Sequence, residues 1–194
     1  MINLIHAINQ IVPLNEADVQ LLRSLVSERN YVKNQVVREQ NVVERYIYFV
    51  QSGLLCGMYE QQDKEVVNWF CAENQFITSI KSFHNQTPSL DRIVALEDTR
   101  VYKLNYSHIN GSFAEHPMFE RFVRILMQQS YVMLEERTMS LQCSLARDRY
   151  EKFVSSNRSL MQRISLGHLA SYLGISQETL SRVRGNKRPC LISA

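Results

Sequence analysis

Hydrophobic positions along the chain fall into successive regimes of spacing, and each regime predicts a different kind of element. Val19, Leu22 and Val26 recur at helical intervals behind Pro13-Leu14-Asn15-Glu16-Ala17-Asp18. Asn15 can accept from a backbone N–H of the first turn, and Glu16 and Asp18 lie at the positive end of the helix dipole, so a short lead helix is expected. From Tyr31 the apolar residues become β-branched and aromatic and come in short runs: Val36-Val37, Tyr46-Ile47-Tyr48-Phe49-Val50, Val66-Val67-Asn68-Trp69-Phe70, Ile93-Val94-Ala95-Leu96 and Val101-Tyr102-Lys103-Leu104. Turn material such as Gln51-Ser52-Gly53, Gln61-Gln62-Asp63-Lys64 and Glu97-Asp98-Thr99 separates them. Runs of this length and spacing predict a compact antiparallel barrel or sandwich from about Tyr31 to Leu104.

After Tyr106 the strand signals stop. Pro117 opens a stretch to Leu145 without Gly or another Pro, in which Phe122, Ile125, Leu126, Val132, Met133 and Met139 recur near helical spacing. One helix of almost thirty residues, about 40 Å at 1.5 Å per residue, is longer than a small domain needs to cover its own core, and dimerisation along it is expected. Gln129 and Glu136 interrupt the apolar seam, so it is no clean heptad, and a helix packed across the barrel remains the alternative.

Helical signals resume at Ala146–Val154, and Leu166 to Gly185 carries the most specific pattern in the chain. Leu169, Leu173, Ile175, Leu180 and Val183 are apolar, Ala170 is small where two helices cross closely, and Gly174 falls where the chain must turn between them. Ser176 then caps a second helix beginning Gln177-Glu178-Thr179-Leu180-Ser181-Arg182. Two helices joined by a Gly-containing turn make the arrangement that places a recognition helix in the major groove of DNA. A helical hairpin can also be a mere packing unit. Charge separates the two readings: Met1–Cys143 carries 13 Lys+Arg against 16 Asp+Glu, a balance of −3, whereas Ser144–Ala194 carries 9 against 3, a balance of +6. The formal net charge of +3 hides this asymmetry, and the basic end is the surface suited to a polyanion.

Other chemistry is weakly represented. Cys56, Cys71, Cys143 and Cys190 form no Cys-x-x-Cys pair and have no His at ligand spacing; they read as free thiols and small apolar fillers. The five histidines are dispersed and none stands in a nucleophile motif. Paired carboxylates at a defined spacing and a Gly-rich phosphate loop are also missing, so no enzyme is expected. Met1–Leu25 lacks a basic start followed by an apolar run, and nowhere do 18 apolar residues follow one another, so a cytoplasmic protein without a membrane span is expected.

The run Ile164-Ser165-Leu166-Gly167-His168-Leu169-Ala170-Ser171-Tyr172-Leu173-Gly174-Ile175-Ser176-Gln177-Glu178-Thr179-Leu180-Ser181-Arg182-Val183 resembles the DNA-binding helices of the Crp/Fnr family of transcription regulators. The lead helix after Pro13, Tyr46–Leu54, the Ala95-Leu96-Glu97-Asp98 corner and the long helix ending Ala146-Arg147-Asp148-Arg149 are similar to that family's cyclic-nucleotide-binding-type barrel and dimer helix. The resemblance implies an α+β fold in three parts: an N-terminal antiparallel β-barrel or jelly-roll sensor domain (1–114), a long dimerisation helix (115–145) and a C-terminal winged-helix-like helix-turn-helix domain (146–194). It implies a homodimer on near-palindromic double-stranded DNA, with RNA polymerase and an unidentified small-molecule effector as candidate partners.

By the same resemblance, Gln177, Glu178 and Arg182 touch base edges, with Ser181 nearby. The chemistry agrees: Arg can grip guanine, Glu can accept from the cytosine amino group and Gln can bridge adenine. Arg184, Lys187 and Arg188 are assigned to phosphates. Ser165 and Ser176 read as helix caps, though either hydroxyl could also meet a phosphate. About nine residues follow the second helix, too few for a full wing, so Asn186–Ala194 is expected to be a tail.

The chain departs from the family in the barrel. Members that bind cyclic AMP carry a Gly-Glu pair and, later, an Arg followed by a small hydroxyl residue; here the corresponding positions read Thr78-Ser79 and Ser89, with Arg92 displaced by three residues and Asp91 beside it. A ring phosphate needs a close cation, and this exchange removes the Arg and adds a like charge. Thr78, Ser79, Ser89 and Arg92 are the candidate effector-pocket residues, and cyclic-nucleotide binding is not expected. Nor is an iron–sulfur cluster or haem, since no N-terminal cysteine cluster or evident axial ligand is present. The competing function is a small-molecule-binding or protein-interaction module that does not bind DNA.

Overall fold

The computed structural model describes residues 1–61, 64–111 and 116–185. The chain divides into two compact units, Met1–Met133 and Leu134–Ala194. In the first, helices α1 (Ile2–Ile11) and α2 (Glu16–Leu25) precede the strands. Asn15 and Asp18 form a capping box at the start of α2, each side chain accepting from the other's backbone N–H at 2.9 and 3.0 Å; this is the lead helix the sequence predicts, except that it ends at Leu25 and Val26 is extended and opens the first strand.

Eight strands follow: β1 (Val26–Tyr31), β2 (Val36–Arg38), β3 (Tyr46–Ser52), β4 (Leu55–Gln61), β5 (Lys64–Cys71), β6 (Phe76–Ile77), β7 (Asp91–Ala95) and β8 (Thr99–Asn105). They pair antiparallel in two four-stranded sheets, ordered β1-β8-β3-β6 and β2-β7-β4-β5. This is the antiparallel β domain expected, with β1, β4 and β6 in addition to the runs the sequence singles out. The first, VSERNY, is mostly polar and only partly buried, and β4 carries Gly57 near its centre. A side chain at Gly57 would enter the Trp69 indole across the ladder, so the residue that weakens the strand signal is required by the packing.

Ile47, Tyr48, Phe49 and Val50 on β3 are all buried because this strand is covered on both faces. Ile47 and Phe49 join Leu4, Ile8, Leu22, Phe83, Leu104, Phe119 and Phe122 in a core between one sheet and the helices. Tyr48 and Val50 face the other way, into a core with Leu55, Cys71, Ile93, Ala95 and Val101. Short helices α3 (Ile80–Asn85) and α4 (Tyr106–Gly111) fill the β6–β7 connection and follow β8. The long helix, α5, runs uninterrupted from Pro117 to Cys143, and its exposed residues include Tyr131, Val132, Met133, Leu134, Met139 and Leu141.

The second unit holds the last turns of α5, then α6 (Ala146–Ser156), a 3-10 turn at Arg158–Leu160, α7 (Leu166–Leu173) and α8 (Gln177–Gly185). Phe153, Leu160, Ile164, Leu169, Ala170, Leu173 and Leu180 are its buried apolar residues. Lys187, Arg188, Cys190 and the expected tail Asn186–Ala194 lie outside the described residues, as do Gln62 and Asp63 of one expected turn.

Candidate nucleic-acid interface

The turn between α7 and α8 is built as the sequence suggests. Gly174 adopts a left-handed conformation, φ 65° and ψ 38°, which residues with a Cβ reach only at a cost. Ser165 caps α7 by accepting from the His168 N–H at 3.0 Å, and Ser176 accepts from the Thr179 N–H at 3.2 Å at the start of α8. Leu180 and, in part, Val183 turn inward, so the opposite face of α8 is left to solvent. That face carries Glu178, Ser181 and Arg182; Gln177 and Arg184, one turn to either side of Leu180, are exposed as well, as is Ser176 just before the helix.

Two of these side chains have defined surroundings. The Ser176 hydroxyl, the residue's own backbone N–H and the Arg182 guanidinium hold the Glu178 carboxyl below its usual pKa, so Glu178 presents an anion one turn from the Arg182 cation. An acceptor and a donor on neighbouring turns suit the cytosine amino group and the guanine acceptors. The Gln177 amide lies back against α7: its Nε2 is 3.2 Å from where a Cβ on Gly167 would stand. Gly167 thus makes room for the Gln177 amide.

The four effector-pocket candidates have other partners. Between the two cassette positions, Ser79 and Ser89, lies the guanidinium of Arg38, a residue on β2 that the sequence reading passes over. Its Nη1 donates to the Ser89 hydroxyl, its Nη2 to Ser79 and, at 2.9 Å, to Asp91 Oδ1, and its Nε to Glu44 Oε2 at 2.8 Å. Ser79 also donates to Asp91 at 2.7 Å, and Glu44 accepts from the Tyr46 N–H and the Tyr48 hydroxyl. Thr78 donates to the Tyr46 carbonyl at 2.9 Å. Arg92 instead pairs with Glu65 on β5.

The premise that this position lacks a cation is therefore corrected: the cation comes from β2, 51 residues away from Ser89. It is spent on two carboxylates, and the side chains of Arg38, Glu44 and Asp91 are 5%, 0% and 7% exposed. Desolvation raises the Glu44 pKa, against the lowering pull of Arg38 and of the hydrogen bonds Glu44 accepts. Arg38, Glu44 and Asp91 lie too far apart in the chain for any local motif to join them; the one available signal is an arginine in register with Val36-Val37.

Cys56 and Cys71 are buried free thiols, and burial pushes both pKa values up, away from reactive thiolates. Among the described residues no three His, Cys, Asp or Glu gather to hold a metal ion, and no helix is long and apolar enough to cross a membrane.

Comparison with known proteins bears on this architecture of an antiparallel β domain, a long helix and a helix-turn-helix. Residues 28–116 match the family model of the cyclic nucleotide-binding domain. No curated protein is matched by the sequence itself. Among solved structures, FixK2 from Bradyrhizobium japonicum is similar with a TM-score of 0.72 at 19% identity, over 82% of this chain and 83% of that one. The c-di-GMP-responsive global regulator CLP of Xanthomonas campestris has a TM-score of 0.69 at 18% identity, over 88% and 90%. The Thermus thermophilus catabolite activator protein has 0.55 at 19%, over 92% and 85%. These likenesses show that the chain shares the fold of those proteins, as expected from the sequence.

Proposed function

We propose that this protein is a cytoplasmic, homodimeric transcription regulator that binds a near-palindromic duplex through α8 and acts by binding rather than by catalysis. The observation that carries the reading is the exposed polar face of α8, with Glu178, Ser181 and Arg182 on the side away from buried Leu180 and Arg184 exposed one turn beyond Leu180. Arg182 and Glu178 read bases and Arg184 meets phosphate; Lys187 and Arg188 add positive charge in the sequence just beyond. Dimerisation is supported by the exposed apolar side chains of α5, Tyr131 and Met133 being 67% and 63% exposed, a surface that a second copy would cover.

The β domain takes no cyclic AMP in this reading, and no iron–sulfur cluster or haem. With Arg38 already paired to Glu44 and Asp91, a ring phosphate would meet two carboxylates and a committed guanidinium. A different effector, and RNA polymerase, remain partners to be sought with the bound DNA in hand. Selection from random duplex DNA at two salt concentrations tests the proposal. Enrichment of a two-fold symmetric motif, lost in Arg182→Ala, is the expected result. Retention without symmetry or salt dependence would make the hairpin a protein-contact unit and turn attention to the barrel's ligand. Micromolar cyclic AMP affinity would overturn the reading of the barrel.

A further inference from the structure

Helix α7 ends with four carbonyls, of Ala170, Ser171, Tyr172 and Leu173, that no residue further along the helix can satisfy. The turn deals with two. Ile175 N–H donates to Ala170 O at 3.0 Å and Gly174 N–H to Ser171 O at 3.1 Å, the pairing of a Schellman motif. Arginines from two other helices take the remaining two: Arg137 Nη2 on α5 donates to Tyr172 O at 3.0 Å, and Arg149 Nε on α6 donates to Leu173 O at 2.9 Å. Cations are favoured there by the negative end of the helix dipole.

Both arginines are held from a second side. The Arg137 guanidinium carbon stands 4.0 Å from the centroid of the Tyr172 ring, and Arg149 Nη1 donates to Ser144 O at 2.6 Å, just past the end of α5. Leu141, one turn beyond Arg137 on α5, has its Cδ2 3.1 Å from where a Cβ on Gly174 would lie. From Tyr131 to Met139 every residue of α5 is exposed except Arg137. The single partly buried position of that stretch is thus an arginine aimed at the end of α7, three residues before α8 begins.

We propose that Arg137 is a positioning residue for DNA recognition: with Arg149 it clamps the C-terminal end of α7 and so sets the pose of α8 against the last turns of α5. A shift of the long helix reaches the recognition helix through this contact. The proposal rests on the DNA-binding reading, and adds to it the residue through which the dimer helix controls the reader.

The test uses the full chain, with Arg137→Met, which keeps length but loses charge and the carbonyl bond, and Arg137→Lys, which keeps charge. Three properties are measured: affinity for the selected duplex over a salt series, sedimentation, and hydrogen exchange across residues 166–185. Arg137→Met is expected to remain dimeric, to bind about tenfold more weakly with an unchanged salt slope, and to exchange faster around the turn; Arg137→Lys recovers part of both losses. Unchanged affinity and exchange would overturn the clamp. A salt slope lowered by about one would make Arg137 a direct phosphate contact instead. If the unsubstituted chain selects no duplex, the DNA-binding reading fails and positioning for DNA fails with it, while unaltered exchange in Arg137→Met would overturn the clamp on its own.

Discussion

In the β domain Ser79, Ser89, Asp91 and Glu44 close around Arg38 and leave its side chain 5% exposed, whereas on α8 Ser176, Glu178, Ser181, Arg182 and Arg184 stand in solvent. Both places hold the residue types that recognise phosphates and bases. They differ in where the hydrogen bonds go. Inside the barrel, donors and carboxylates are committed to one another, and an incoming anion would have to break an existing ion pair before gaining its own. On α8 the side chains are exposed, so a nucleic acid bound there would displace water without breaking a buried ion pair. Residue type alone therefore marks both regions as candidate sites, and the state of the partners separates them.

The strongest way to break this comparison is to remove the barrel's cation. Arg38→Met leaves Glu44 and Asp91 buried without their counter-charge, and a loss of about 3–5 kcal/mol of stability is expected, read from denaturant midpoints. Adding Glu44→Gln and Asp91→Asn should restore much of it, since the neutral groups can bond among themselves; no loss in Arg38→Met would mean the network is loose and open to a ligand. On α8 the corresponding change, Arg182→Ala, should leave stability within about 0.5 kcal/mol of the parent. It should cost about 1–3 kcal/mol of affinity for the selected duplex and relax specificity at the base pair it reads.

Arg184→Ala sharpens the comparison further, because a phosphate contact carries no sequence information. Its expected signature is uniform weakening on all duplexes and a salt slope reduced by about one, measured by the same titration. The smallest effect concerns pH. Desolvation raises the Glu44 pKa above its ordinary 4.5, so the folded protein holds that proton more tightly than the unfolded chain. This contribution to stability is complete below the unfolded value and is lost as pH rises through the folded one. Glu44→Gln should flatten the decline of stability with pH in that window, and a parallel profile would show that Glu44 titrates as in the unfolded chain.

The helix-turn-helix is legible in the sequence because its signals are local: Gly174 at the left-handed turn, Ser165 and Ser176 at the caps, and Leu169, Leu173 and Leu180 at core spacing all fall within sixteen residues. The long helix is legible from the lack of Gly and Pro after Pro117, although it ends at Cys143 rather than Leu145. Strand β1 escapes notice because only its first residue, Val26, is aliphatic, and β4 because Gly57 yields to Trp69. The Arg38 network is illegible for a different reason. Its members come from β2, the β2–β3 connection and the segment from β6 to β7, and only the closed barrel makes neighbours of positions 38, 44, 79, 89 and 91. The clamp on α7 is hidden likewise, since Arg137 and Tyr172 are 35 residues apart.

The most direct test of the central claim is titration of the full chain onto its selected duplex over a series of salt concentrations. Two protomers should bind each symmetric site, log affinity should fall linearly with log salt, and a scrambled duplex should bind far more weakly. Equal affinity for selected and scrambled duplexes, or affinity indifferent to salt, would contradict the assignment of α8 as a reader of DNA.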